Sequence, residues 1–358
     1  MKTLFILTPA LLLLALGAVP APESAAAPRK SKPAAKAVAK AKTRKLIKEV
    51  MGTEQLTGWE GSLGEMFTLG TNPAFNFALK KAQYSAGRAN IGISPYVAKA
   101  DEKLLVLHFT IQNSQPRPMH FGSYYLSVKA VDSGGVTREY VRDIARENTG
   151  ESISMTLNRG QKVDAYTVIP VAGWGEVPKL IVANAYTPKA PVVRYDLRGK
   201  VAKLAAPFAE PKDGATALKL VPVKAGQFYP VTDRFDARLD SVTYSSDKLQ
   251  NRAPSAGKRF VIATFTLQNK SLKDHQFSQS VFRADLKDAD GEKTSYNNSI
   301  LKGSRDEEAG SELAPGEEAR VRFYWELPEK VEPKTILLQY GYDKEARTFA
   351  YDVASVAK

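Results

Sequence analysis

Three histidines, His108, His120 and His275, are the candidate general bases and metal ligands, because imidazole titrates near neutral pH. Their spacing argues against both roles. No two stand at i, i+4, and no cysteine exists to complete a zinc set. Asp288-Ala289-Asp290-Gly291, followed by Glu292, opens like a calcium loop. Such a loop, about twelve residues long, also needs further oxygen ligands and a closing Glu. Asn297 and Asn298 are poor substitutes, so a hairpin turn is the expectation. The acidic group Asp306, Glu307, Glu308, Glu312, Glu317 and Glu318 could hold a cation or meet a basic partner, including the chain's own tail. A solvated loop accounts for it equally well.

A glycosidase needs two carboxylates a set distance apart, and spacing along the chain places no such pair. The chain has no G-x-S-x-G elbow and no phosphate-binding glycine loop. Of Trp59, Trp174 and Trp325, only Trp174 lies between glycines, in VAGWGEVP. It is the aromatic best placed for a contact. No catalytic or metal residue is assigned, and no cofactor is expected.

The elements that position these residues come from a repeat. Lys103–Asn113 (KLLVLHFTIQN) recurs as Lys258–Asn269 (KRFVIATFTLQN). Leu105, Leu107, Phe109 and Ile111 match Val261, Ala263, Phe265 and Leu267, 156 positions on. All eight are apolar at period two, which marks the core face of a strand. The positions between them begin apolar (Leu104, Val106; Phe260, Ile262) and end polar (His108, Thr110, Gln112; Thr264, Thr266, Gln268). The strand should be covered on both faces at first, then reach water on one. Asn113 and Asn269 close it, as a residue that bonds local backbone and tolerates left-handed φ.

Before this strand, Phe77–Ser85 matches Ala237–Ser245 at an offset of 160. After it the offset stays at 156 through Phe121/Phe277, the turn Asp132–Gly135/Asp288–Gly291, Tyr140/Tyr296 and Leu157–Gly160/Leu313–Gly316. Strands ending in Pro170 and Pro328 follow, then Pro178-Lys179 and Pro333-Lys334, then Val193–Leu197 and Phe349–Val353. The predicted fold is all-β: two tandem immunoglobulin-like antiparallel sandwiches of about seven or eight strands each. The boundaries are a signal peptide at 1–26, a basic linker at 27–52, sandwiches at 53–203 and 219–358, and a linker at 204–218. A short helix at Thr43–Val50 is a further expectation.

The chain has 358 residues and a formal net charge of +13. Its apolar start, Leu4–Ala18, precedes Ser24-Ala25-Ala26, which fits signal cleavage after Ala26. The run falls short of the roughly 20 apolar residues of a permanent span. Export without any cysteine points to a bacterial envelope or medium, secreted or periplasmic. Residues 1–50 hold ten basic and two acidic side chains, a net of +8. The cations Arg29, Lys30, Lys32, Lys36, Lys40, Lys42, Arg44, Lys45 and Lys48 stand among Ala and Pro, a composition that cannot bury a core. They could bind an envelope polyanion or serve as a spacer. Without interleaved aromatics, nucleic acid is the weakest target.

The order of features in both repeats is a strand ending in Gln-Asn, a Phe, D-x-x-G with a Tyr five residues on, L-x-x-G, and a strand closing in Pro. It resembles the bacterial secreted and lipoprotein immunoglobulin-like domains of unknown function related to the mycobacterial immunoprotective antigen fold. The resemblance covers roughly residues 75–200 and 235–358 and implies an extracytoplasmic, non-enzymatic domain. The chain departs from lipoprotein members in having no cysteine after its leader. Three functions follow in order: an envelope binding or structural module tethered by its tail, an adaptor pairing through sheet edges, and an unrecognised hydrolase or metal protein.

Overall fold

The computed structural model describes residues 58–187, 189–296, 299–341 and 345–356. The leader, the tail cations and the possible helix at Thr43–Val50 lie outside them. The first sandwich is built from β1 (Gly58–Gly61), β2 (Phe67–Leu69), β3 (Phe75–Ser85), β4 (Arg88–Ile91), β5 (Ser94–Val97), β6 (Glu102–Asn113) and β7 (Met119–Gly122). It continues with β8 (Leu126–Val131), β9 (Thr137–Glu139), β10 (Ala145–Arg146), β11 (Ser154–Leu157), β12 (Lys162–Ala172), β13 (Lys179–Asn184) and β14 (Val192–Asp196). The second comprises β15 (Leu220–Val223), β16 (Tyr229–Pro230), β17 (Phe235–Ser245), β18 (Lys258–Asn269), β19 (His275–Gln276) and β20 (Phe282–Asp288). It ends with β21 (Lys293–Ser295), β22 (Leu301–Lys302), β23 (Glu312–Leu313), β24 (Glu318–Pro328), β25 (Pro333–Tyr340) and β26 (Thr348–Asp352).

The two topologies are the same. One five-stranded sheet runs β1-β14-β13-β8-β9 and its counterpart β15-β26-β25-β20-β21. The other runs β2-β3-β6-β12-β10 and its counterpart β16-β17-β18-β24-β22. In each sandwich the first strand joins the last in parallel. There are more strands than expected because edge pieces of two to four residues are too short to show alternation. Even the irregularity repeats: β3 bulges between Leu79 and Lys81, and β17 between Leu239 and Ser241.

β6 and β18 are the central strands. Leu105, Leu107, Phe109 and Ile111 lie in the first core, and Val261, Ala263, Phe265 and Leu267 in the second. Full burial of side chains such as Phe109 and Phe265 stabilises by about 1.5–3 kcal/mol each. The opposite face is covered too. Leu104 and Val106 pack with Ile91, Ala98, Ala145 and Val168, and Phe260 and Ile262 with Leu249, Leu301 and Tyr324. The polar half is less open than its sequence implies. Thr110 and Thr266 are buried, and their hydroxyls donate to Asp164 and, at 2.6 Å, to Asp240. Carboxylates from neighbouring strands close over them.

The strand-end asparagines are buried and fully bonded. Asn113 Nδ2 donates to the carbonyls of Arg117 (2.8 Å) and Leu157 (2.9 Å), and its Oδ1 accepts from Gln115 N at 2.8 Å. Asn269 does the same with Lys273 O (2.8 Å), Leu313 O (2.8 Å) and Ser271 N (2.9 Å). Neither takes the left-handed backbone expected of it. That conformation falls on Gly160 (φ +73°) and Gly316 (φ +81°), whose amides donate to the asparagine carbonyls at 3.0 and 2.8 Å. Glycine adopts it at no steric cost. Pro170 does not end its strand. β12 runs through it to Ala172, paired with Leu104. Its outer neighbour β10 pairs only with Ala165 and Tyr166, so Pro170 sits on an open edge where its missing amide is not needed.

Tyr140 and Tyr296 each tie a corner. Tyr140 Oη donates to Ser123 O and Leu126 O at 2.8 Å, and Tyr296 Oη to Gln279 O (3.1 Å) and Phe282 O (3.0 Å).

The sandwiches meet through cations. Sixteen residues separate β3 from β6, but only twelve separate β17 from β18. The longer connection folds into the hairpin β4–β5, and Arg88 on it reaches Thr232 O (2.8 Å), Asp233 O (2.9 Å) and Asp236 Oδ1 (2.7 Å). From the other side Arg347 donates to Leu218 O (2.7 Å), Lys99 O (2.8 Å) and Glu102 O (2.7 Å). Burial pulls the Arg347 pKa down to about 10, so it stays charged at neutral pH. The stretch 204–218, marked as a boundary by its composition, is itself folded. Leu204 N bonds Gly214 O at 2.9 Å, and Glu210 N bonds Thr216 O at 2.8 Å. Leu204, Ala215 and Ala217 are buried in the first core, and Phe208 packs against both cores. Lys103 is wholly buried beneath this strap, 4.2 Å over the Tyr84 ring, and donates to Gly175 O and Ala215 O. The second sandwich repeats the pair as Arg259 over Tyr244 at 4.2 Å.

Replacing Asn113 with Ala leaves two carbonyls and one amide without their side-chain partner, at about 1–3 kcal/mol per buried group. Denaturant unfolding should show a loss of about 3 kcal/mol, against under about 1 kcal/mol for Gln112→Ala, a half-exposed neighbour. Equal losses would remove the asparagine from its structural role. Lys103 supplies a second expectation. Burial lowers its pKa from 10.5 to about 8, against the pull of Asp213 and Glu176. Between those values the unfolded chain binds the extra proton, so stability rises with pH. The stability of the natural chain relative to Lys103→Met should climb from about pH 8 to about pH 10.5; Tyr84 is common to both and cancels. A flat difference measured by unfolding across that window refutes the burial of a charged Lys103.

Candidate functional site

Three exposed aromatic side chains, Tyr124, Trp174 and Tyr186, stand at one edge of the first sandwich, around the hairpin β8–β9. Tyr124 and Tyr125 follow Gly122 in a single 3-10 turn, and Tyr186 follows β13. β13 and β8 are paired from Lys179/Val131 to Asn184/Leu126, which carries Tyr186 beside the other two. Ring centroids lie 4.5 Å (Tyr124–Tyr125), 4.8 Å (Tyr125–Tyr186) and 5.8 Å (Tyr124–Tyr186) apart. The planes are inclined by 37° to 66°, so the three form a cupped cluster. Phe121, buried beneath, stacks on Tyr125 at 6.1 Å. Tyr124 and Tyr186 are 47% and 58% exposed. Gly122 permits the arrangement, since a Cβ there would stand 2.6 Å from Tyr124 Cε1.

Tyr124 walls a cleft of about 400 Å³ with Ser127, Lys129, Glu139, Arg142 and Ala185. Lys129 Nζ is 2.9 Å from Glu139 Oε1, and Arg142 is 3.3 Å from Glu139 Oε2. These two cations hold the Glu139 carboxyl below the usual range, Lys129 more strongly. Partial burial, then the neighbouring phenols, raise the Tyr124 pKa. Arg142 has φ +59°, a left-handed conformation that costs a non-glycine residue energy and gathers at functional sites.

At the other end of the hairpin stands Trp174, 56% exposed. It borders a second cleft, of about 440 Å³, with Asp101, Glu102, Arg138, Thr216 and Lys219. Ser133 Oγ donates to Trp174 O, and Gly134 lies close against its ring, which fixes the indole to the β8–β9 turn. Burial would raise the pKa of Asp132 in that turn, but bonds from Arg138, Val136 N and Gly134 N outweigh it and lower the value. Trp174 was legible as an exposed aromatic. The tyrosine cluster was not, because Tyr124 and Tyr186 are distant in sequence and meet only through the β8–β13 pairing. A usable signal lay in the repeat: Tyr124, Tyr125 and Trp174 align with Ser280, Val281 and Lys330.

The other candidates resolve into structural roles. His108 Nδ1 lies 2.9 Å from Glu147 Oε2, its ring 6.0 Å from that of Tyr166. Its Nε2 is buried without a partner, out of reach of a substrate in solvent. His120 Nε2 contacts Ser154 Oγ at 3.3 Å. The His275 pKa is lowered, by burial first and Arg234 next. Asp288 Oδ1 accepts from Glu292 N at 2.8 Å and Gly291 has φ +90°, the geometry of a hairpin turn. Asn297 and Asn298 lie outside the described residues. Asp306 pairs with Arg322 (2.7 Å), Glu307 with Lys302 (2.6 Å), and Glu308 accepts from Ser299 (3.1 Å). Glu317 caps Ala314 N at 2.8 Å and Glu318 accepts from Gln268 at 3.2 Å. Trp325 is wholly buried, and Trp59, 43% exposed, leans on Phe67 at 6.2 Å. Among the described residues no group of three or more His, Asp or Glu is arranged to hold a metal ion. Among the same residues no helix is long and apolar enough to cross a membrane.

Paired five-stranded sheets, corner tyrosines and Greek-key-like strand order define a tandem immunoglobulin-like β-sandwich protein. Residues 232–347 match the family model of a domain of unknown function, DUF4352. That stretch is the second sandwich from the turn before β17 to the residue before β26. Among solved structures, the chain is similar to an uncharacterized β-sandwich protein from Clostridium difficile 630 (16% identity, 37% of this chain and 92% of that one, TM-score 0.28). It is also similar to a secreted protein from Mycobacterium tuberculosis, MPT63 (12% identity, 40% and 99%, TM-score 0.29). A conserved hypothetical protein from Bacillus anthracis matches at 14% identity over 35% and 93%, with TM-score 0.24. No curated protein matches.

Proposed function

We propose that this protein is a non-enzymatic binding module, exported by a bacterium and working at the cell envelope. One observation carries the reading: exposed aromatic clefts flank the first sandwich, while the second, alike in topology, has Ser280, Val281 and Lys330 at the matching positions. Exposed Tyr and Trp beside polar rims are the composition of recognition surfaces. The second sandwich serves as a rigid support, locked on by Arg88 and Arg347. The apolar leader and cysteine-free sequence support export. The cations Arg29, Lys30, Lys32, Lys36, Lys40, Lys42, Arg44, Lys45 and Lys48 tether the module to anionic surface polymer, each contributing about 1 kcal/mol near such a surface.

The test is co-sedimentation of the full chain with bacterial envelopes, compared with a chain carrying Gln at all nine positions. The natural chain should bind at low salt and weaken steeply as salt rises. The neutralised chain should bind less and lose most of that salt dependence. Equal binding and equal salt slopes would dispose of the tether.

A further inference from the structure

Both clefts of the first sandwich touch β9. Arg138 lines one and Glu139, the next residue, lines the other, so the clefts open on opposite faces of the sheet and a ligand touching both crosses the β9 edge. Trp174 stands at the turn of the β8–β9 hairpin and Tyr124 just before the start of β8. With about 3.3 Å per residue, the strand sets these aromatics on the order of 20 Å apart. Each cleft falls in the usual volume range for a small ligand, about 300–1,000 Å³. A single small molecule cannot touch both ends. A chain of repeating rings can.

The rims restrict the chemistry of that chain. Cations and carboxylates alternate along them: Lys129, Arg142 and Glu139 at one end, Arg138, Lys219, Asp101 and Glu102 at the other. Four cations and three carboxylates nearly cancel there, so a polyanion such as nucleic acid or teichoic acid gains little net attraction. An added peptide strand is disfavoured as well, because β9 is only three residues long, Thr137–Glu139, and charged. A sugar ring suits both features. Its C–H faces lie on aromatic rings, and its hydroxyls both donate and accept, matching mixed-sign polar rims.

We propose that the β8–β9 edge binds an extended polysaccharide, with one sugar ring against Trp174 and another against the Tyr124–Tyr186 cluster. The inference rests on the binding-module reading above and names its ligand class. The second sandwich, with Ser280 and Lys330 at the positions of Tyr124 and Trp174, takes no part in the contact.

The experiment titrates the full chain with chito-, cello- and xylo-oligosaccharides of increasing length by calorimetry. About 1 M salt, where the screening length is about 3 Å, silences the basic tail. At least one series should bind, with affinity rising as chains grow long enough to span both ends. Tyr124→Ala and Trp174→Ala should each weaken the long oligosaccharide about ten-fold, the double variant should abolish binding, and Lys330→Ala should change nothing. Both aromatics are exposed, so thermal melting of the variants should match the natural chain. Absence of binding by every series, or binding undiminished in the double variant, overturns the inference. So does envelope binding that depends on Tyr124 and Trp174 but disappears after protease treatment of the envelopes; that outcome leaves the module reading standing with a protein ligand. Failure of the full chain to bind envelopes at low salt would instead remove the module reading.

Discussion

The fold hangs on one buried amide in each sandwich. A side-chain amide in the interior must find partners for its donors and its acceptor, or the structure loses the full cost of desolvating them. Asn113 and Asn269 meet that constraint with the same three backbone groups, at distances that agree within about 0.1 Å. Each joins the end of the central strand to the turn after it and to the L-x-x-G turn that opens the neighbouring strand. The glycine of that turn then takes the left-handed conformation and returns a bond to the asparagine carbonyl. With this end fastened, the long register of β6 with β12, and of β18 with β24, follows.

Where the copies agree, the residues are core, turn and corner. Where they differ, the molecule acquires its particular character. The connection before β6, longer by four residues, holds the hairpin that delivers Arg88 to the second sandwich. The stretch after β14 becomes a strap over Lys103. Buried cations without a partner would be strongly unfavourable; here backbone carbonyls from separate segments surround them, so each cation specifies how those segments come together. Arg259 over Tyr244 is the second sandwich's counterpart of the Lys103–Tyr84 pair, with Glu332 rather than a strap carbonyl as its partner at 2.8 Å.

Core positions were legible because period-two alternation is a property of consecutive residues, and β-turns advertise themselves with Asp and Gly. The short edge strands were not, for they carry no alternation. Pro170 looked like a terminator because sequence does not say which side of a strand is open. Thr110 and Thr266 looked solvated because the carboxylates that cover them come from other strands. Trp174 could be picked out from its flanking glycines, and the hairpin turn at Asp288–Gly291 from its Asp and Gly. Tyr124 and Tyr186 escaped notice singly, as tyrosines usually do.

By itself, then, the sequence determined that two like β-domains exist, which residues face their cores, where the turns fall, and that the positive charge is concentrated near the start. Those properties are local or repeat at a constant offset. Only the tertiary structure decided which exposed side chains stand together, how the strap and the arginines lock the sandwiches, and that one edge bears aromatics at both ends. Contacts between residues tens of positions apart depend on strand pairing and packing, and no pattern along a single chain encodes their distances.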